Sequence, residues 1–289
     1  MVGRRTKDLF RNRAGESHVS PAAPLPGPRP PRVAFWLAVV FAPAVCSLAA
    51  ISSEAHRIGV ARHRAPEVNV LGALDDPDEL YRRREDLASA KRAADLWALR
   101  ATTDFESAWK LARACYWLGT HGEQDERRRA LDRGMKAGES AARFAPNRPE
   151  GHFWLAANMG ALAESFGVGQ GLRYRGKIKE ELERALVIEP GWQDGSADAA
   201  LGQWYFKVPR LFGGSRSKAE EHLRRALTYN PDSHQALSEL ADVVAAGGRR
   251  DEAVALLRRL IDAPDDPDWI PEDSDLKRKA AERLKTLGR

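Results

Sequence analysis

Small residues recur at a fixed interval in the C-terminal half of the chain, and this spacing constrains the fold more than any other feature. Ala219 and Ala253 stand 34 residues apart, and so do Leu223 and Leu257, and Ala226 and Leu260. Each trio lies at helical spacing on one face and is followed by a proline, Pro231 or Pro264, which stops the helix. A second helical stripe precedes each: Leu201, Gly202 and Tyr205 in one case, Leu237, Leu240, Ala241 and Val244 in the other. These first helices are offset by 39 residues, so the earlier unit carries about five extra turn residues. Two antiparallel helices approach closely only where the facing side chains are small. The stretch from Ser196 to Pro264 therefore predicts two consecutive helical hairpins, with Gly202, Ala219 and Ala226 in one seam and Ala241 and Ala253 in the other.

A period of 34 residues built on helix–turn–helix units resembles the tetratricopeptide repeat. Earlier segments carry the same pattern at longer spacing. Ala108, Leu111, Ala112 and Cys115 are repeated 44 residues later by His152, Leu155, Ala156 and Met159. The partner helices are expected to stop at Pro146 and Pro190. A helix from Asp76-Pro77 to about Arg100 should open the array, and one from Asp275 to Leu287 should close it with a polar outer face. The expected fold is all-α, a right-handed TPR-like α-solenoid of about four hairpins over residues 76–264, with a C-terminal capping helix in 265–289.

The first 75 residues read differently. Residues 1–32 hold six prolines between Pro21 and Pro31 and few large apolar groups, the composition of a disordered, basic tail. Val33 to Ile51 is a charge-free run that extends to Ser53, long enough for one transmembrane helix. Residues 33–53 are thus expected to anchor the chain in the inner membrane, and 54–75 to form a linker. A signal peptide cleaved after Ala49, a lipoprotein signal ending at Cys46 and a buried core helix are the competing readings. Arginines flank both sides of the run, and only the basic tail favours a cytoplasmic N-terminus with extracytoplasmic repeats.

Charge bears on partners. The chain has 46 basic and 41 acidic groups, and residues 1–32 hold seven and two of them, leaving 39 of each. The repeat region has no overall cationic bias, so no nucleic-acid partner is expected. Chemistry is equally hard to read. The seven histidines include no i,i+4 pair suited to zinc, and there is no Gly-x-Ser-x-Gly elbow. Gly167-Val168-Gly169-Gln170-Gly171 lacks a P-loop lysine and reads as an inter-helix turn. Asp75 to Asp78 and Asp265 to Asp268 lack the ligand spacing of a calcium loop and read as helix starts. Ser217 with Glu220 reads as a capping box, and Pro209, Leu211 and Phe212 as apolar anchors that tuck the Gly213-Gly214 insertion onto the stack. No enzymatic activity, cofactor or metal is expected.

In tetratricopeptide stacks the first helices line a groove that holds protein partners. Residues one and five places beyond the signature small position usually face it. Taken from Ala112, Ala156, Gly202 and Ala241, that offset projects Arg113, Trp117, Ala157, Gln203, Lys207 and Asp242 inward, joined by the aromatics Trp109, Phe153 and Phe206. Residues 151–231, with Trp154 to Gly160, Ala200 to Pro209 and Phe212-Gly213-Gly214-Ser215, are also similar to the bacterial T-component proteins of TRAP transporters. That resemblance implies an accessory subunit meeting an extracytoplasmic solute-binding protein, with a hydrophobic ligand in an apolar cavity. The expected role is a membrane-anchored, extracytoplasmic scaffold for protein–protein interaction, with self-association open.

Overall fold

The protein is described by a computed structural model in which residues 76–287 are placed; the expected tail, membrane run and linker, 1–75, lie outside the described residues. Among the described residues there is no strand, and no helix is long and apolar enough to cross a membrane. The chain is a succession of paired helices. Pro77–Arg82 (α1) and Leu87–Ala98 (α2) come first, then Phe105–His121 (α3) with Gln124–Phe144 (α4). Pro149–Ser165 (α5) pairs with Val168–Ile188 (α6), and Ser196–Lys207 (α7) with Arg216–Tyr229 (α8). His234–Ala246 (α9) pairs with Arg250–Asp262 (α10), and Ile270–Leu287 (α11) ends the array.

The spaced small residues form the seams. Ala108, Ala112, Ala219, Ala241 and Ala253 are completely buried, with Leu223, Leu257 and Leu260 beside them. At Gly202 a Cβ would stand 2.5 Å from Leu223 Cγ, so only glycine lets α7 meet α8 this closely. Between hairpins, a Cβ on Gly151 of α5 would stand 2.5 Å from the Ala142 nitrogen of α4. Neighbouring units thus interlock backbone to backbone, which is how a hairpin too small to fold alone gains stability.

Four local expectations need correction. The helix expected from 76 to 100 is two, because Asp86 caps a new start: its carboxylate accepts from the Ala88 and Ser89 nitrogens at 3.2 and 3.1 Å. Leu99, the C-cap of that second helix, is 78% exposed. The cap of α8 is Ser215, which accepts from Lys218 N at 3.3 Å; Ser217 lies within the helix, and Glu220 turns to Arg224 and Arg249 instead. The Gly213-Gly214 insertion is held by backbone bonds, with Ser215 N donating to Tyr205 O at 2.8 Å, while Leu211 is 87% exposed. Finally, α11 begins at Ile270 rather than Asp275, and Asp266 to Asp268 form a turn before it.

Candidate functional site

The face carried by the first helices of the hairpins is covered by the chain's own C-terminal segment. Trp269 stacks on Trp154 of α5 with ring centroids 6.4 Å apart, and Tyr116 of α3 lies 5.7 Å from the same Trp154. Arg84, in the turn after α1, donates to Glu272 Oε1 at 3.0 Å and to the Asp268 carbonyl at 2.8 Å. Farther along α11, Arg283 donates to Asp242 Oδ1 at 2.6 Å and to Ser238 Oγ at 3.0 Å, both on α9. The segment from 268 to 283 therefore touches first helices from α5 to α9 and is tied to the α1 turn.

Two cavities flank this segment. One, of about 390 Å³, is walled by Gln203, Phe206 and Lys207 of α7, by Glu239 and Asp242 of α9, and by Leu276 to Arg283 of α11. Burial pushes the Glu239 carboxyl up to about 8, although Lys207 beside it works the other way, and its Oε2 has no hydrogen-bond partner. Lys207 also pairs with Glu164 at the end of α5. The second cavity, of about 370 Å³, is bounded by Tyr81, Arg84, Arg113, Gln193, Asp268 and Trp269. Here Arg113 lies over the Tyr81 ring at 4.2 Å and over Trp109 at 5.0 Å, with its Nε buried and unpaired. Burial holds the Tyr81 hydroxyl up at about 12 against the pull of Arg113 and Arg84, so the ring faces these cations uncharged.

The residues expected at the groove divide into two groups. Gln203, Phe206, Lys207 and Asp242 meet at the first cavity and Arg113 at the second, while the half-buried Trp109 lies against the Arg113 guanidinium. Ala157 is partly buried on α5. Trp117 and Phe153 are buried, at 4% and 8% exposure, because neighbouring turns cover them. Trp117 donates its indole N–H to the Arg84 carbonyl at 2.7 Å and stacks on His121, and Phe153 packs edge-on to Trp192 at 4.9 Å. Both support the wall from behind. The offset rule does not reach Arg84, Glu239 or Trp269, since it counts along first helices only and at two positions in each. For Arg84 the sequence offers no more than an arginine lying between two helix starts.

Where acidic groups do gather, a cation is already supplied. His234, Asp265 and Asp273 present ligand atoms within 4.8 Å of one another, and Lys277 Nζ lies 2.6 Å from Asp265. Asp273 is also engaged by the Asp266 N–H at 2.9 Å.

Similarity to known proteins follows the same division of the chain. Residues 74–212 match the model of a family described as regulator of microtubule dynamics protein 1-3, and residues 214–270 match a tetratricopeptide-repeat model. No curated protein matches the chain. Among solved structures, a thermophilic tetratricopeptide-repeat protein from Thermus thermophilus is 23% identical, with a TM-score of 0.55, covering 73% of this chain and 98% of its own. The structure of MamA is 15% identical with a TM-score of 0.43, covering 69% of this chain and 95% of its own. Alanine-lined hairpins, the 34-residue period and the repeat model matched over residues 214–270 agree on the fold: the described residues form a tetratricopeptide-like array of stacked helical hairpins.

Proposed function

We propose that this protein is a non-enzymatic, membrane-tethered scaffold whose first-helix face binds a protein partner on the extracytoplasmic side. The observation that carries the reading is the convergence of Gln203, Phe206, Lys207 and Asp242, contributed by two hairpins, on one cavity. A cleft with both apolar and charged walls, assembled from successive repeats, suits an extended polypeptide better than a small molecule. The tether and its orientation rest on the charge-free run 33–51 and the basic tail. In a crosslinking pull-down, Gln203→Ala with Lys207→Ala should lose the partner while the fold, read by circular dichroism, is kept. Unchanged capture would refute the groove. Alkaline carbonate tests the tether, since full extraction rules out a spanning helix.

Two narrower readings make different demands. A transporter accessory role, suggested by the resemblance of residues 151–231, needs an apolar ligand cavity. The charged groups in both cavities, Lys207 and Glu239 in one and Arg84 and Arg113 in the other, disfavour it. The match over 74–212 to a family described as regulating microtubule dynamics supports a cytoskeletal partner. Co-sedimentation with polymerised tubulin separates that reading from the first.

A further inference from the structure

We propose that residues 268–273 are a resident occupant of the partner groove, displaced by a partner segment that carries an aromatic ring beside two carboxylates. The inference rests on the scaffold reading above and specifies what the groove recognises.

The resident is bound as a peptide ligand would be. Its contacts are polar and aromatic: Glu272 and the Asp268 carbonyl on Arg84, and the Trp269 ring on Trp154. Arg84 also lies over Trp269 at 5.9 Å. Yet apart from Asp273, which is buried against His234, the segment is only loosely covered. Asp268 is exposed, Ile270 is 49% exposed and Trp269 is only partly buried. A piece of hydrophobic core would be enclosed, whereas this segment lies along the rim of a cavity.

The resident also leaves the site incomplete. Three arginines line this cavity, and Arg82 is paired with Glu79. Arg84 has its carboxylate in Glu272, but Arg113 has no hydrogen bond or ion pair among the described residues, and its Nε is buried. The groups around Arg113 are the rings of Tyr81 and Trp109, the cation of Arg84, and the carboxylates of Asp78 and Asp268, neither of which bonds it. An unpaired, partly desolvated cation beside a cavity is costly, and an incoming carboxylate relieves that cost. A partner supplying an aromatic ring, a carboxylate for Arg84 and a second for Arg113 therefore makes every contact of the resident and one more. Because the resident is covalently attached, it competes at a high effective concentration and weakens the partner's apparent affinity by the fraction of time the groove is closed.

The test uses the full-length chain and a fluorescein-labelled synthetic peptide spanning residues 265–276, followed by fluorescence anisotropy. Two release variants, Trp269→Ala and the near-isosteric Glu272→Gln, open the groove, and circular dichroism confirms their fold. Either variant should bind the peptide at least about tenfold more tightly than wild type, as expected when a mostly closed state is opened. Adding Arg113→Ala should leave this peptide's affinity little changed, since the resident sequence does not bond Arg113, but should abolish the gain expected from a peptide carrying Asp268→Glu, whose carboxylate reaches farther toward Arg113; a peptide with its Trp and Glu replaced by Ala and Gln should not compete. If both folded release variants bind no more tightly than wild type, or if the Asp268→Glu peptide gains no affinity or gains it equally without Arg113, the inference is overturned. The scaffold reading is judged separately: loss of the crosslinked partner in the Gln203→Ala, Lys207→Ala protein keeps it standing even when the peptide fails.

Discussion

Asn158 of α5 donates from Nδ2 to the carbonyl of Ala112 on α3 at 2.9 Å, joining two successive hairpins beside their signature small positions. The side chain is wholly buried and donates again to the Trp154 carbonyl at 2.8 Å. A polar pair inside an otherwise apolar seam fixes how one unit sits on the next, because any slip strands the amide without partners.

Replacing Asn158 with Ala should destabilise the protein by about 1–3 kcal/mol, since lost bonds and an unfilled space add together. The gap is specific: a Cβ on Gly134 of α4 would stand 2.1 Å from Asn158 Oδ1. Gly134→Ala should therefore be harmful in the wild type but much less so when Asn158 is already Ala. Urea titrations of the four proteins form a double-mutant cycle, and simple additivity would show that the two residues do not meet.

Glu239 gives the groove a pH dependence. Its carboxyl is raised from 4.5 to about 8, chiefly by burial, so the folded chain holds a proton that the unfolded chain releases. Its contribution to stability is then complete below about pH 4.5 and lost as pH rises through 8. Glu239→Gln keeps the shape and removes the titration. Thermal melts should show the variant close to wild type at pH 4.5 and more stable at pH 8.5. A difference on the order of 1–3 kcal/mol is expected, the usual cost of a poorly satisfied buried polar group. Equal melting temperatures at the alkaline end would mean that Glu239 stays hydrated.

Much of this architecture is legible in the sequence, and the illegible parts share one cause. Close helix approach admits only small side chains, so Ala219, Gly202 and Ala253 announce their seams without reference to anything distant. The offset from those positions also brings Gln203, Lys207 and Asp242 to the wall of one cavity, because it depends only on helical geometry. Trp117 obeys the same offset and Phe153 lies on the same set of helices, but both are buried, covered by the Arg84 turn and by Trp192, which no periodicity reveals. Likewise Leu276, Ala280 and Leu284 show that α11 has an apolar side, but where it docks is decided by Arg84 and Arg283, each paired with a residue far away in sequence.

The outer helices carry an electrostatic tie that sequence pairs only in part. Arg249 and Arg224 hold the Glu220 carboxyl down at about 2, with Glu252 completing the network between α8 and α10. The sign is opposite to that of Glu239. This contribution is present above pH 4.5 and is lost as pH falls toward 2. Because the arginines are more than 40% exposed, each pair is weak and weakens further with salt. Glu220→Gln should flatten the acid limb of the stability curve in low salt and change little in about 1 M salt, where the screening length is only about 3 Å. An acid limb identical to that of the wild type would place the proton uptake elsewhere.

The seam itself offers the most direct test of the fold. Ala219 is fully buried on α8, and its carbonyl lies 3.1 Å from where a Gly202 Cβ would be. No space remains there for a larger group, and separating the helices would also expose Leu223 and Leu257, both now sealed from solvent. Ala219→Leu should cost about 1–3 kcal/mol through overpacking. Because adjacent hairpins support one another, amide exchange should quicken in α7 and α9 as well as in α8. The same enlargement at Ala200, a partly buried neighbour on α7, should be far milder. If Ala219→Leu proved as benign as Ala200→Leu, α7 and α8 could not be packed across alanine and glycine, and the hairpin reading of this unit would have to be abandoned.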